Sequence, residues 1–532
     1  MKNIFKDIKI PEIFRIEELH QDTFLLNGEL VQWTGETLAV QSAITIENSK
    51  GSSERKVLGS IPNMQHEDAL NALDAAYTAY DNGSGVWPLM KVQDRIDCVE
   101  KFVEMMKPTR FEVVKLMMWE IGKSFEDSCN EFDRTIEYIE DTIFTLYKMN
   151  KEQSVILSHK GIDGQIRRAP LGVVFGLAPY NYPLNETFCL LIPALLCGNT
   201  AVFKPGRYGV LLLFPLLKVF QKCFPKGVVN FIYGNGQVLA RPILKTGKVD
   251  VLALIGNSTS ANSLQNLHPK QNRLRLVLGL EAKNPAIVLS DADIDIAVKE
   301  CVLGALAFNG QRCTALKILF VHDDLVEEFN KKFVQQVALL KYGLPWEEDV
   351  QITPLPELEK PQYIKELITD ALKYGGNVIN ENGGRTIENF VFPAVVFPVN
   401  EKMKIYHEEQ FGPIVPIVPF SNVSTPLDYI ANSNYGQQVS LFSQRASSLA
   451  PLIDVLVNQV SRININVKCQ RGPDIFPFTG RKDSAVSTLS VSDALHSFSV
   501  PTMVSMRSND FVCDHKTNKY LGKNSFAFCY SV

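Results

Sequence analysis

Four short apolar runs, each ending at a glycine, proline or asparagine, constrain the fold of this chain more than any other feature. They are GVVFGLAPY, NTAVFKP, VVNFIYG and VDVLALIGN, and helical patterns separate them. A second series of the same kind runs from about residue 279 to about residue 460, and residues 67–150 before both series carry long helical patterns. Strands that alternate with helices predict an α/β fold with a doubly wound parallel sheet. A length of 532 residues predicts two or three domains.

Composition and charge exclude several classes of protein. A net charge of −4 leaves no basic excess for a phosphate backbone, which argues against nucleic-acid binding. The most apolar segments, TFCLLIPALLCGNTAVF and GVLLLFPLLKVF, are interrupted before they reach the roughly 20 apolar residues of a membrane span. The N-terminus lacks the apolar stretch of a secretory signal. The ten cysteines form no CxxC pair and no close Cys/His cluster, so we predict no metal site, no disulfide framework and a cytoplasmic location.

One cysteine lies in a sequence that favours reactivity. In FNGQRCTALK, Cys313 follows Gly310 and Arg312. A free thiol has a pKa of roughly 8.5, so a nucleophilic cysteine requires a positive neighbour or a helix dipole. Arg312 supplies a charge, and Gly310 would allow the close approach of a substrate. The alternative is that Cys313 is an inert, buried thiol like most cysteines.

Three other segments carry candidate binding groups. In APYNYPLN, the amide of Asn181 could donate to an oxyanion, a contribution of roughly 3 kcal/mol to the barrier; alternatively it caps the next helix. AVFKPGRYG places Lys204 at a strand end, where parallel sheets bind nucleotides, with Arg207 three residues later. The loop LIGNSTSAN, with Gly256 and Ser258, could bind a pyrophosphate through backbone N–H groups.

Together with HEEQFGPIVP, these segments resemble the motifs of the aldehyde dehydrogenase superfamily, in matching order from about residue 65 to about residue 500. The resemblance implies that the Cys313 thiolate attacks an aldehyde carbon while Asn181 and the Cys313 backbone N–H bind the oxyanion. Hydride transfer to a nicotinamide then leaves a thioester, which water hydrolyses. It also implies that Glu409, with Phe411 in the same motif, binds the nicotinamide ribose and that Lys204 binds the adenine ribose.

The resemblance further implies a subunit of three parts that forms a homotetramer or a homodimer. We expect N-terminal helices and a cofactor-binding domain in residues 1–278, to which residues 460–495 return. A catalytic α/β domain is expected in residues 279–460. Residues 155–170 and 496–532 are expected to form a small β oligomerisation element and a C-terminal extension.

The residue three positions after Lys204 predicts the cofactor. Relatives that prefer NAD often carry a glutamate there, which accepts a hydrogen bond from the ribose 2′-hydroxyl. In this chain the position is Arg207. A guanidinium can bind a 2′-phosphate that a carboxylate would repel, so we predict NADP rather than NAD.

Within the superfamily, the chain is most similar to the non-phosphorylating glyceraldehyde-3-phosphate dehydrogenases. The similarity rests on Arg134 in DRTIEY, Tyr182 in NYP, Arg312 in GQRCTALK and Arg471 in CQRGPDIFPFTG. These positions match those that bind the substrate phosphate, which implies oxidation of glyceraldehyde 3-phosphate to 3-phosphoglycerate. Each charge-assisted hydrogen bond there could contribute roughly 1.5–3 kcal/mol. The alternative is that Arg134 and Arg471 form ordinary salt bridges.

The chain departs from the superfamily at the general base. Relatives have a glutamate in an E-L-G-G-K motif. This chain reads LGLEAKNPAIV there, and Gly279 occupies the position of that glutamate. Glu281 follows two residues later, and in an extended segment it would face the same side as Gly279. Three interpretations remain open: Glu281 is the base, the thioester passes to coenzyme A, or the chain is a non-catalytic binding or structural protein.

Overall fold

The computed structural model of the chain describes residue 5 and residues 8–47, 53–153 and 155–507. Residues 508–532, which belong to the predicted C-terminal extension, lie outside the described part. The N-terminal region consists of five strands and five helices. They are β1 (Leu19–His20), β2 (Thr23–Leu26), β3 (Glu29–Gln32), β4 (Thr37–Glu47), β5 (Ser53–Pro62), α1 (His66–Tyr80), α2 (Val86–Leu89), α3 (Val92–Met106), α4 (Arg110–Ile121) and α5 (Phe125–Gln153).

Alternating strands and helices follow. They are β6 (Leu157–His159), β7 (Ile162–Pro170), β8 (Val173–Leu177), α6 (Asn185–Leu196), β9 (Thr200–Lys204), α7 (Phe214–Cys223), β10 (Val229–Phe231), α8 (Gly236–Lys245), β11 (Val251–Ile255), α9 (Ser258–Gln265) and β12 (Arg275–Gly279). The four apolar runs recognised in the sequence correspond to β8, β9, β10 and β11. Their residues are almost entirely buried, as expected of strands covered on both faces.

The second series contains ten strands and six helices. They are β13 (Asn284–Val288), α10 (Ile294–Leu306), β14 (Leu316–His322), α11 (Val326–Ala338), α12 (Lys360–Lys373), β15 (Asn377–Val378), β16 (Thr386–Ile387), β17 (Phe390–Val391), β18 (Ala394–Phe397), α13 (Lys404–His407), β19 (Ile414–Phe420), α14 (Ser424–Asn432), β20 (Tyr435–Gly436), β21 (Gln438–Phe442), α15 (Ala446–Leu456) and β22 (Arg462–Ile465). The described chain ends with β23 (Arg481–Lys482), β24 (Ala485–Val486), α16 (Val491–Ser497) and β25 (Ser499–Arg507).

Two large, mainly parallel sheets organise these elements, which confirms the predicted fold class. The first has the order β10-β9-β8-β11-β12-β24, and the second has the order β15-β18-β19-β14-β13-β21-β22. In the first sheet the chain moves outward from β8 to β10 and then resumes at β11 on the other side of β8. Such a switch point creates a crevice at the carboxyl ends of the strands. Asn181 and Lys204 both lie at that edge, after β8 and at the end of β9.

A small antiparallel sheet joins β25, β7 and β6 at the place predicted for the oligomerisation element. Its role and the domain limits stay predictions. Among the helices that the structure describes, none combines the length and the apolar character required to cross a lipid bilayer.

Candidate functional site

A tight left-handed turn precedes Cys313. Residues 308–310 have φ values of 49°, 57° and 71°, a region that L side chains rarely adopt. A Cβ at Gly310 would lie 2.7 Å from the carbonyl oxygen of Gly412 and 2.8 Å from that of Ala305. The glycine therefore permits the packing of the loop itself, whereas the sequence had suggested that it makes room for a substrate.

Cys313 is half-buried, and its carbonyl oxygen accepts hydrogen bonds from Asn284 Nδ2 at 2.7 Å and from Lys317 Nζ at 3.2 Å. Burial raises the pKa of the Cys313 thiol, and the negative charge of Glu186 acts in the same direction. The charges of Lys317 and Arg471 act in the opposite direction. Hydrogen bonds to its carbonyl oxygen thus fix Cys313, and charges of both signs act on its thiol.

Asn181 lies beside this nucleophile loop. Its Nδ2 donates to the carbonyl oxygen of Gln311 at 2.9 Å, two residues before Cys313. An amide has two N–H donors, so this bond fixes the side chain and leaves one donor for a substrate oxygen. The alternative that Asn181 caps the next helix does not apply, because α6 begins at Asn185 and the acceptor at its first amides is another side chain, Glu131.

A buried ion pair fixes the loop that presents Asn181. Lys123 pairs with Glu131, and both side chains are fully buried. Lys123 Nζ also donates to the backbone oxygen of Asn181 at 2.8 Å and lies 3.7 Å from the centroid of the Tyr182 ring. Glu131 accepts from the amides of residues 184 and 185 at 2.9 and 3.1 Å. The pair therefore fixes both sides of the turn that presents Asn181.

The two basic residues predicted to bind the adenosine half of a cofactor differ in their surroundings. Lys204 is half-buried, and its Nζ donates to the carbonyl oxygen of Pro205 at 2.9 Å. Burial lowers its pKa to about 8. Arg207 is exposed, and its guanidinium lies 5.3 Å from the centroid of the Tyr208 ring.

Glu281, the candidate base, is bound elsewhere. Its two carboxylate oxygens accept from the Ser258 amide at 3.0 and 2.8 Å, and Ser258 Oγ donates to it at 3.3 Å. Ser258 is the first residue of α9, and Gly256 precedes it with its N–H bonded to the Gly279 carbonyl oxygen at 3.0 Å. A carboxylate is stable at such a helix N-terminus. The structure therefore does not bring Glu281 to Cys313 but places it at the loop expected to bind pyrophosphate.

Lys317 connects Glu409 to the nucleophile loop, because its Nζ also donates to the Cys313 carbonyl oxygen. Phe411 follows Glu409 by two residues. The Glu409 carboxylate pairs with Lys317 and accepts from the Ala282 amide at 3.2 Å. Phe411 has a φ of 42°, and its ring lies 6.1 Å from that of Tyr180, between ring centroids. A non-glycine residue with a positive φ is uncommon, and here it directs an aromatic ring into the site.

These groups fit a dinucleotide cofactor, except that one backbone amide already has a partner. Among the described residues, no carboxylate pairs with the buried ammonium of Lys204, so that charge is available to a ribose or phosphate oxygen. Arg207 is exposed at the same strand end. The amide of Ser258, however, is occupied by Glu281, which a pyrophosphate would have to displace.

The four residues predicted to bind a substrate phosphate are connected: Arg312 and Arg134 act on Tyr182, and Arg471 shares Asp474 with Arg134. Burial raises the pKa of the Tyr182 phenol, and the nearby charges of Arg312 and Arg134 partly oppose that shift. Arg134 binds Asp474 through Nε at 3.0 Å and Nη2 at 2.9 Å. Arg471 Nε donates to Asp474 at 3.2 Å.

Further partners reduce the positive charge of this cluster. Arg471 also pairs with Glu186, and both side chains are buried. Arg312 Nη2 donates to the carbonyl oxygens of Leu303 at 3.2 Å and Gly304 at 2.7 Å. Three guanidiniums and two carboxylates, if all are ionised, leave one net positive charge. The salt bridges considered as the alternative for Arg134 and Arg471 are present, and they lie inside the cluster.

Several residues that shape the site have no role predicted from the sequence: Lys123, Glu131, Lys317, Glu186 and Asp474. Three of them lie in segments that had been singled out, namely Lys317 in FNGQRCTALK, Glu186 after NYPLN and Asp474 in CQRGPDIFPFTG. A charged residue inside an otherwise apolar or motif-bearing segment was the available signal. The Lys123–Glu131 pair lies in a helical region with many charged residues, so the sequence gave no signal for it.

Comparison with known proteins gives consistent results. The profile of the aldehyde dehydrogenase family matches residues 40–504. An NADP-dependent glyceraldehyde-3-phosphate dehydrogenase of Streptococcus equinus is 28% identical over 467 residues, 85% of this chain and 93% of that protein. A malonate-semialdehyde dehydrogenase of Bacillus cereus is 29% identical over 477 residues, 88% of this chain and 94% of that protein. The crystal structure of an NADP-dependent glyceraldehyde-3-phosphate dehydrogenase from Bacillus halodurans complexed with NADP has a TM-score of 0.83 and 28% identity, covering 92% of this chain and 100% of that chain.

Proposed function

Because the chain belongs to the aldehyde dehydrogenase family, we propose that it oxidises glyceraldehyde 3-phosphate to 3-phosphoglycerate with NADP. The observation that carries the proposal is the arrangement around Cys313. The Asn181 amide bonds the loop that carries the thiol. Arg471 acts on the thiol, and Arg134 and Arg312 act on the neighbouring Tyr182. A nucleophile, an oxyanion donor and a cationic pocket are the groups that a phosphorylated aldehyde requires.

The residues of the chain would act in sequence. The Cys313 thiolate attacks the aldehyde carbon, and the carbonyl oxygen becomes an alkoxide that the free N–H of Asn181 and the Cys313 backbone N–H bind. Lys123 and Glu131 hold Asn181 in place during this change. NADP, which Lys204, Arg207 and Glu409 would hold, would supply the hydride acceptor, and loss of hydride from the carbon would leave an acyl group on Cys313. Water then releases the acid and restores the thiol.

NADP is proposed over NAD because of Arg207. An exposed guanidinium at the end of β9 can bind a 2′-phosphate, and Lys204 would bind the ribose beside it. Ser258 and Gly256 would approach the pyrophosphate, and Glu409 and Phe411 the nicotinamide half. The names of the relatives in Streptococcus equinus and Bacillus halodurans agree with this choice.

The phosphate of the substrate would bind the arginine cluster by exchange. Arg471 has its Nε and Nη1 on carboxylates, so a phosphate must replace at least one of them. A dianion gains more from three guanidiniums than a single carboxylate does, which favours the exchange. Tyr182 would add a phenolic hydrogen bond.

The assay measures NADPH and product. Purified protein with glyceraldehyde 3-phosphate and NADP should form NADPH and free 3-phosphoglycerate without coenzyme A, and Cys313→Ala should abolish both. NADPH that forms only with coenzyme A would instead show an acylating enzyme. No NADPH under any condition and no adduct on Cys313 would show a non-catalytic scaffold.

A pair of variants tests the phosphate site. Arg134→Ala should raise KM for glyceraldehyde 3-phosphate about tenfold or more and leave unphosphorylated glyceraldehyde unaffected, because one charge-assisted contact is lost. Arg110→Ala is the matched control, since Arg110 also binds an aspartate, Asp133, through two bonds but on the surface. Equal effects of Arg134→Ala on both substrates would contradict the assignment.

We also propose that the sheet of β6, β7 and β25 contacts another copy of the chain in a homodimer or homotetramer. Its exposed apolar side chains, Leu157, Ile166 and Met503, support this role. Light scattering of the full chain and of Ile166→Asp would test it, because a charge at the contact should shift the mass toward the monomer.

A further inference from the structure

One buried carboxylate near the nucleophile has no role in the mechanism so far. Glu186 lies in the first turn of α6, five residues after Asn181, and its N–H donates to the Tyr182 carbonyl oxygen at 3.1 Å. Only 7% of the residue is exposed. Carboxylates are rarely buried unless they are paired or functional.

The two carboxylate oxygens of Glu186 are bonded unequally. Oε1 pairs with Arg471. Oε2 is buried and has no hydrogen-bond partner among the described residues. A buried acceptor left without a donor costs about 1–3 kcal/mol, so its position calls for an explanation. A water molecule or a substrate group at Oε2 would provide the missing donor.

Glu186 is also close enough to Cys313 to influence it electrostatically. Of the charged groups that change the pKa of the Cys313 thiol, Glu186 has the largest effect, ahead of Lys317 and Arg471. Arg471, which bonds Glu186 Oε1, also acts on this thiol, so the carboxylate and the sulfur belong to the same charged cluster. A water held on Oε2 would therefore lie near the atom that carries the acyl group.

At the position where relatives carry the general base, this chain has Gly279, which has no side chain to accept a proton. Gly279 ends β12, and a Cβ built on it would meet only the apolar side chains of Ile255 and Leu489, at 3.4 and 3.6 Å. Glu281 is bound to Ser258. Thioester hydrolysis at a useful rate requires a group that removes a proton from water as it attacks.

We propose that Glu186 is the general base that activates water for hydrolysis of the Cys313 thioester. Its Oε2 accepts a proton from the water while the water oxygen forms a bond to the acyl carbon. The C–S bond then breaks, and the electron pair returns to sulfur as the thiolate. The product leaves as a carboxylic acid that loses its proton, and Glu186 releases its own proton to solvent.

Arg471 links this step to the bound substrate. Arg471 pairs with Glu186 in the same buried cluster that we propose for the substrate phosphate. A phosphate that takes over Arg471 would leave Glu186 available to the water, a step that rests on the proposed function.

The experiment separates acylation from hydrolysis with p-nitrophenyl acetate, which acetylates a reactive thiol without any cofactor. The wild-type protein should release p-nitrophenol steadily. Glu186→Gln should keep a burst of one equivalent and then turn over roughly 10²-fold more slowly, the contribution typical of a general base. The intact mass should show a stable acetyl group that Cys313→Ala lacks, and hydroxylamine, which attacks thioesters without a base, should restore turnover.

The matched control is Glu328→Gln. Glu328 also lies in the first turn of a helix, α11, and also pairs with a cation, Lys332, at 3.0 Å, but it is exposed and remote from the cluster. It should behave as the wild type does. Glu186→Asp, which retains a carboxylate, should keep more turnover than Glu186→Gln.

A second measurement does not involve turnover. Because the charge of Glu186 raises the pKa of the Cys313 thiol, Glu186→Gln should move the pH profile of Cys313 alkylation by iodoacetamide to lower pH. An unchanged profile, or a Glu186→Gln protein that hydrolyses the acetyl group at the wild-type rate, would overturn the proposal. Loss of the burst with alkylation intact would also overturn it, by assigning Glu186 to acylation. A wild-type protein that hydrolyses the ester but ignores glyceraldehyde 3-phosphate would refute only the proposed function.

Discussion

Replacing Glu281 by glutamine tests whether this carboxylate competes with the cofactor. In the structure both of its oxygens lie within 3.0 Å of the Ser258 amide at the start of α9. A pyrophosphate that binds the same helix N-terminus must remove the carboxylate first. The Glu281→Gln variant should therefore bind NADP more tightly than the wild type.

The expected magnitude follows from the bond that is weakened. A hydrogen bond to a charged acceptor contributes about 1.5–3 kcal/mol, and a neutral one about 0.5–1.5 kcal/mol. The midpoints of these ranges differ by about 1.2 kcal/mol, which corresponds to a roughly eightfold lower Kd for NADP. Loss of repulsion between the carboxylate and the pyrophosphate acts in the same direction.

Isothermal titration calorimetry with NADP measures the effect directly. Asp293→Asn is the matched control, because Asp293 caps α10 through the amides of Asp295 and Ile296, both at 3.1 Å, at another helix. It should leave the Kd unchanged. An unchanged Kd in Glu281→Gln, or weaker binding with an unaltered Tm, would refute the competition. Hydrolysis of an acyl group on Cys313 should be unaffected, since Glu281 faces Ser258.

Three further predictions concern single groups. Burial lowers the pKa of Lys204 to about 8, and bound NADP favours its charged form, so Kd for NADP should rise up to tenfold per unit above about pH 8 in the wild type but not in Lys204→Arg. Burial raises the pKa of Glu120 from 4.5 to about 7. The stability that the protonated carboxyl contributes is therefore lost as the pH rises through that range. The Tm of Glu120→Gln should accordingly increase relative to that of the wild type between about pH 5 and about pH 8. Arg207→Glu should raise KM for NADP about tenfold or more while KM for NAD changes little, because one guanidinium–phosphate contact is replaced by repulsion.

Local sequence patterns were sufficient to predict the α/β architecture and the positions of most strands. Runs such as VDVLALIGN are short and apolar and end at a glycine or asparagine, which favours buried strands such as β11. The same local patterns placed Asn181 in a turn after a strand and Lys204 at a strand end, where the structure has them. These predictions depend on information contained within about ten residues.

The charged partners could not be predicted in the same way. Glu186 and Arg471 are 285 positions apart, and a single sequence does not show which distant charges meet. Glu281 follows the end of β12 by two residues and lies before β13, so the alternation of sides that applies within a strand did not apply to it. Its direction follows from the amide of Ser258, which lies 23 positions earlier in the chain.

The contact of Gly310 with Gly412 joins two loops that serve different partners. The first presents the sulfur, and the second carries Phe411 and Glu409, which we propose bind the nicotinamide half of the cofactor. Since two backbones touch there, without a flexible side chain between them, neither can shift by a few tenths of an ångström alone. Mutations in either loop should therefore alter cofactor affinity and thiol reactivity together.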